Sequence, residues 1–244
     1  MSNKGIPRDR LRNIAIIAHV DHGKTTLVDC LLKDIGYGLD SERIMDSNDL
    51  EKEKGITIMA KSTAINFQNH QINLVDTPGH SDFGGEVERI MTMVDGVLLL
   101  VCATEGPMAQ TKYVLRKALE AKKKPIVIIN KVDRPTARVE DVENEIFDLF
   151  CDIDKDEDFI DYPVFYASGK DGWATKDMSN ITSDMSSVNT SCILESIIEF
   201  IQPPNVNDQQ ALFSFLGSQI DYSDYFGKLI RGKVYSGSIE VGQL

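Results

Sequence analysis

The sequence predicts an α/β fold: a mostly parallel sheet with helices on both faces, followed by the incomplete start of a β-barrel domain. Three observations predict it. Apolar runs of strand length alternate with stretches of helical period from Asn13 to Ile201. Several runs are apolar at every position, as in Val97-Leu98-Leu99-Leu100-Val101 and Ile126-Val127-Ile128-Ile129, and strands covered on both faces read this way. Beyond Gln202-Pro203-Pro204-Asn205 the texture changes to short β-like pieces with turns at Gly227, Gly232 and Ser236-Gly237.

The elements follow in chain order. The first strand is expected at Asn13–His19, running into Ala18-His19-Val20-Asp21-His22-Gly23-Lys24-Thr25 and then a helix over Thr26–Ile35. A strand, a tight turn and a helix N-terminus make a phosphate cradle, in which turn N–H groups face the oxygens. Lys24 adds positive charge, and Thr25 has the hydroxyl such sites place on Mg²⁺. Ala18 stands where the usual pattern has its first glycine. Gly36 to Thr57 has poor periodicity and many charges, and a long loop of that kind inside a domain is usually functional or disordered. Within Glu53-Lys54-Gly55-Ile56-Thr57-Ile58, Thr57 is placed to complete a magnesium shell once a γ-phosphate is present.

Strands are next expected at Ser62–Phe67 and Gln71–Asp76. The second ends in Asp76-Thr77-Pro78-Gly79-His80. A carboxylate there lies across the cradle and suits a magnesium ion, and Gly79 lets a backbone N–H approach a γ-phosphate. A helix over Phe83–Val94, a strand over Gly96–Ala103 and a helix over Gln110–Ala121 follow. Lys122-Lys123-Lys124 then reads as a basic helix C-terminus.

The strand expected at Pro125–Asn130 opens into Asn130-Lys131-Val132-Asp133, where the chemistry specifies a base. Guanine presents two donors on one edge, its ring N1–H and its 2-amino group, and the Asp133 carboxylate can accept both. Adenine would leave that carboxylate unpaired, a mismatch worth about 10⁴-fold in discrimination. This argues against an ATP-using kinase. Asn130 can brace the loop, and the Lys131 stem can cover the base. A helix over Val139–Cys151 and a strand over Tyr162–Ala167 lead into Ala167-Ser168-Gly169-Lys170, where an N–H of Ser168 or Gly169 is placed to meet the guanine carbonyl. Asp177–Ser191, rich in Ser, Asn, Thr and Asp, reads as a surface loop before a helix over Cys192–Ile201. Ligands of such sheets sit at the carboxyl ends of the strands, which puts the four motifs on one rim.

Composition bounds the rest. The chain has 244 residues, 42% hydrophobic, and no apolar run near the ~20 residues of a spanning helix. Met1–Arg12 lacks the apolar core of a secretory signal, although a removed transit peptide stays open. Cys30, Cys102, Cys151 and Cys192 match no metal or redox spacing and read as reduced, mostly buried thiols. The asparagines of Asn180-Ile-Thr and Asn189-Thr-Ser read as accidental glycosylation matches. A net charge of −12 argues against a general affinity for nucleic acid, so neither DNA nor a membrane is expected as a partner. The expected organisation is a nucleotide-binding domain at 1–202, a linker at 203–210 and, at 211–244, too little chain to close a barrel. The chain thus reads as a truncated piece of a longer protein.

On these residues the chain resembles the translational GTPases. The His19-Val-Asp-His-Gly-Lys-Thr25 string, the Gly55-Ile-Thr-Ile58 loop and Asp76-Thr-Pro-Gly-His80 are marks of that group. Among its members it is most similar to the BipA/TypA family, through Arg43–Glu51, Phe83–Met91 and Ser218-Gln219-Ile220-Asp221-Tyr222 with Tyr225 and Gly227. An elongation factor G-like or LepA-like protein is the alternative, as is a GTP-dependent binding module whose hydrolysis only resets it.

The resemblance implies a P-loop GTPase domain with Mg²⁺ and GTP or GDP bound. It implies nucleotide contacts from Asp21, His22, Gly23, Lys24, Thr25 and Thr26, from Asn130, Lys131 and Asp133, and from Ser168, Gly169 and Lys170. Thr25, Thr57 and Asp76 would serve the magnesium. His80 would position the attacking water, with Lys24 and Gly79 as its catalytic companions. Val20 and Ile56 would form an apolar gate over His80, and a monovalent cation would sit near Asp21. The implied activity is slow hydrolysis of GTP to GDP and phosphate unless the ribosome, partner of the longer protein, stimulates it. A monomeric fragment in the cytoplasm is expected, with an organellar location left open. Three positions depart from the family pattern: Lys54 replaces an arginine, Gly169 an alanine and Cys102 an aspartate.

Overall fold

The computed structural model describes residues 6–36, 61–77, 84–154, 159, 161–181, 185, 188–205, 211–223 and 225–243. The chain divides into two compact units, Met1–Pro203 and Pro204–Leu244.

In the first unit, β1 (Leu11–Ala18), β2 (Lys61–Phe67), β3 (His70–Asp76), β4 (Gly96–Cys102), β5 (Lys124–Asn130), β6 (Val164–Ser168) and β7 (Trp173–Thr175) form one sheet in the order β2-β3-β1-β4-β5-β6-β7. The five inner strands are parallel, and the two edge strands run antiparallel to their neighbours. The helices are α1 (Lys24–Asp34), α2 (Gly84–Met93), α3 (Ala109–Glu120), α4 (Val139–Ile153) and α5 (Ser191–Phe200).

Period-two alternation explains why the central strands are apolar throughout. On β4, Leu98 and Leu100 face one layer, with Leu27, Val28, Leu31 and Leu32 of α1 and Ile193, Leu194 and Ile197 of α5. Val97, Leu99 and Val101 face the other, with Val87 and Ile90 of α2, Leu115 of α3 and Ile146 and Phe150 of α4. Each such aliphatic side chain withdrawn from water contributes about 1.5–3 kcal/mol, so both faces need cover. β2 turns into β3 through Gln68 and Asn69, both at positive φ (46° and 62°), the conformation a two-residue hairpin loop requires.

The expected strands and helices are all present, with ends displaced by at most two residues. β7 was not anticipated: three residues are too few for a periodic signal, and pairing with β6 makes it a strand. The lysine run differs from expectation. α3 ends at Glu120, Lys122 takes a positive φ of 54° in the turn that follows, and Lys124 already belongs to β5, its ammonium over the Phe200 ring. The cysteines are also less buried than expected. Cys102 is buried, Cys30 and Cys192 are partly covered, and Cys151 is exposed near the end of α4. The described part of Asp177–Ser191 includes a 3-10 turn at Met178–Asn180, capped by Asp177, and a wholly buried Thr190. Thr190 gives its N–H (2.7 Å) and hydroxyl to Asp34.

The second unit contains a hairpin of β8 (Ser214–Ser223) and β9 (Gly227–Ser236), antiparallel with two register shifts. Ser223 Oγ accepts from the N–H groups of Tyr225 and Phe226 across its turn. No helix among the described residues is long and apolar enough to cross a membrane.

Candidate nucleotide site

Because β1, β3, β4, β5 and β6 are parallel, their carboxyl ends share one rim. The register pairs Ile16 with Asp76, Ala18 with Leu100, Cys102 with Asn130, and Asn130 with Ala167. Segments 18–25, 76–77, 130–133 and 168–170 are thereby brought together from distant parts of the sequence.

The turn between β1 and α1 is held open by its backbone. Asp21 (φ 63°) and Gly23 (φ 88°) are left-handed, and Gly23 serves as the N-cap of α1 with no side-chain cap. The helix's first N–H groups therefore face outward at its positive end, as an anion site requires. Gly23 has a second reason to be glycine: a Cβ there would lie 2.5 Å from Asn130 Nδ2. Val20 and Asp21 complete the turn. Thr25 is half-buried and Thr26 exposed at the start of α1.

Lys24 is 8% exposed, and its ammonium lies 2.7 Å from Asp76 Oδ1 and donates to the Thr77 carbonyl. Thr77, also buried, donates its hydroxyl to the Ile16 carbonyl at 2.5 Å, tying the end of β3 to β1. Thr77 stands in the same Asp76-Thr-Pro-Gly-His80 motif, but nothing in the sequence marks its hydroxyl as the tie to β1. Asp76 and the Thr25 hydroxyl are hard oxygen donors, the type Mg²⁺ takes beside phosphate oxygens. Among the described residues no cluster of three or more His, Cys, Asp or Glu forms a metal cage. A phosphate-bridged Mg²⁺ needs only one or two protein oxygens.

Asn130 is the hub of the rim. Its Nδ2 donates to the His22 carbonyl (2.9 Å), and its Oδ1 accepts from the Gly169 N–H (2.9 Å), so one buried amide joins three segments. The Gly169 N–H thus serves Asn130, whereas the sequence offered it for the base. Lys131, at φ 64°, lays its stem along the P-loop and donates to the Asp21 carbonyl. Asp133 is exposed in the same loop. Ser168 is buried, and its hydroxyl bonds Asp171 (2.9 Å) in the turn that carries Lys170. Cys30 of α1 donates its thiol to the Gly169 carbonyl (2.9 Å), a contact with no signal in the sequence. Ile56, Thr57, Gly79 and His80 lie outside the described residues.

Residues 9–203 match the model of the elongation factor Tu GTP-binding domain. The large ribosomal subunit assembly factor BipA of Haemophilus influenzae is 51% identical over 239 residues, covering 96% of this chain and 38% of that protein. The Bacillus subtilis protein of the same name is 50% identical over 240 residues, covering 97% and 38%. The chain therefore spans well under half the length of these relatives. A crystal structure of the bacterial selenocysteine-specific elongation factor EF-Sec superposes with a TM-score of 0.68 at 24% identity, covering 95% of this chain and 35% of that one. At that identity the likeness bears on the fold alone. Motifs on one rim and a family match over most of the chain lead to one conclusion: this chain belongs to the elongation factor Tu GTP-binding domain family, and over nearly its whole length it is similar to the BipA proteins.

Proposed function

We propose that this chain is the GTP- and Mg²⁺-binding switch of a ribosome-associated factor of the BipA type, hydrolysing GTP slowly until the ribosome stimulates it. The observation that carries the nucleotide reading is Asn130, which bonds the P-loop at His22 and the third loop at Gly169. That link sets the Asp133 loop at a fixed reach from the phosphate cradle. Asp133 accepts the two donors of guanine's edge, and the Ser168–Lys170 turn lies at the far side of the base. Lys24 leaves Asp76 for the β- and γ-phosphates, and Asp76 with Thr25 and Thr57 serves the magnesium, which supplies charge neutralisation at the transferred phosphoryl group. His80 orients the attacking water behind the gate of Val20 and Ile56, with the N–H of Gly79 on the γ-phosphate. The assignments to Ile56, Thr57, Gly79 and His80, and a monovalent cation near Asp21, rest on sequence alone. The BipA relatives' role in large-subunit assembly suggests the ribosome as partner and a cytoplasmic location.

Asp133→Asn tests the base reading. An amide can donate to the xanthine carbonyl, so the variant should prefer xanthosine over guanosine diphosphate, reversing the wild-type order. An unchanged preference would remove Asp133 from the site. Single-turnover hydrolysis by the intact protein, with and without ribosomes, tests the gating. Hydrolysis as fast without ribosomes as with them would refute it.

A further inference from the structure

His22 is wholly buried inside the P-loop. The Cys102 N–H lies 3.3 Å from His22 Nδ1. A peptide N–H can only donate, so Nδ1 holds the lone pair and the proton sits on Nε2. The Leu100 carbonyl, 3.4 Å from Nδ1, is then a neighbour with no proton between. Burial pushes the imidazole pKa down, in keeping with this neutral tautomer. His22 Nε2 is itself buried and makes no aligned hydrogen bond among the described residues. Glu105 Oε2 lies 3.3 Å from it.

The loop that presents Glu105 follows β4 and is braced from α4. Arg138, just before that helix, donates to the carbonyls of Thr104 (3.0 Å) and Glu105 (3.2 Å) and pairs with both carboxylate oxygens of Glu145. The Arg138 N–H donates to the Ala103 carbonyl (2.9 Å). Gly106 closes the loop at φ 74°, and a Cβ there would run into Arg138 and Glu145. Glu105 therefore reaches His22 from a fixed backbone, while its partly exposed side chain keeps some hydration. With the His22 carbonyl already held by Asn130, a bond from Nε2–H to Glu105 Oε2, 3.3 Å away, would fix this residue of the turn at both ends.

We propose that Glu105 is a positioning residue: by accepting the Nε2–H of His22 it holds the P-loop turn in its phosphate-receiving form and prolongs the residence of the nucleotide. The proposal rests on the nucleotide-site reading above and adds a residue 80 or more positions from the P-loop in sequence. Nothing in composition or spacing points to that residue.

The test is release of a fluorescent methylanthraniloyl-GDP from the intact protein, chased with unlabelled GDP. Glu105→Ala is expected to speed release about tenfold, the range for an abandoned buried donor. Glu105→Gln keeps a carbonyl acceptor at the same reach and stays within about twofold of wild type. Glu105→Asp keeps the charge but is a methylene short, and releases faster than Glu105→Gln. A mere charge effect would reverse the order of those two, so they decide the matter even if Glu105→Ala folds poorly. On a His22→Asn background, Glu105→Ala should add nothing. Wild-type release rates in the Ala and Asp variants, the reversed order, or an undiminished effect without His22 would overturn the proposal. Wild-type protein that takes up no methylanthraniloyl-GDP would overturn the nucleotide-site reading, and this proposal with it.

Discussion

Removing the Asn130 amide should loosen three segments together. In Asn130→Ala, the His22 carbonyl loses a donor at 2.9 Å and the Gly169 N–H loses an acceptor at 2.9 Å. Asn130 is 2% exposed and Gly169 is buried, so water does not readily replace the amide. An abandoned buried partner costs about 1–3 kcal/mol, and two of them place the loss at about 2–6 kcal/mol. For a domain of this size that corresponds to a melting temperature lower by roughly 4–24 °C. Asn130→Asp keeps the acceptor for Gly169 but turns a carboxylate oxygen toward the His22 carbonyl, so it should lose stability as well. Urea unfolding of nucleotide-free protein reads both variants, with an unchanged denaturant slope showing that the unfolded state is the same. A loss under about 0.5 kcal/mol, the range of an ordinary surface substitution, would refute the hub.

Further perturbations follow from the same contacts. Gly23→Ala must adopt a left-handed backbone and crowd Asn130 Nδ2, so it should cost at least about 1–2 kcal/mol in urea unfolding and weaken GDP binding in calorimetry. Burial lowers the His22 pKa in the folded chain, so below pH ~6.5 the unfolded chain takes up a proton that the native chain refuses. Stability should then fall as pH drops from about 6.5 toward the lower folded value, by at most about 1.4 kcal/mol per pH unit, and His22→Asn should flatten that part of the profile. Tyr166, pushed up to about 12 by burial and then by its hydrogen bond to Glu143 (2.9 Å), should show its phenol ionising late in an ultraviolet titration. Tyr166→Phe should remove that transition and about 1 kcal/mol of stability. Leu31→Ala, at a wholly buried position on α1, should cost about 2–5 kcal/mol in urea unfolding.

The parts of this fold legible in the sequence are those with a local cause. Val97–Val101 and Ile126–Ile129 had to be central strands because each residue in them faces an apolar layer. Lys24 and Asp76 were legible because a phosphate cradle demands a fixed spacing around its glycines. The bonds made by Asn130 were half legible: a bracing side chain was expected, but its use of the Gly169 N–H was not. Contacts that join distant segments left no trace. Glu105 meets His22 only because β4 lies beside β1, and Arg138 meets Thr104 only because α4 begins behind that loop. β7 is too short for periodicity, and the exposure of Cys151 was not legible because one cysteine on a helix carries no facing information.

Competition for the site is the most direct measurement of the central claim. The protein, loaded with methylanthraniloyl-GDP in the presence of Mg²⁺, is titrated with GDP, GTP and ATP. The account predicts displacement by GDP and GTP at comparable, low concentrations and none by a thousandfold excess of ATP. ATP displacing the probe as readily as GTP would contradict it.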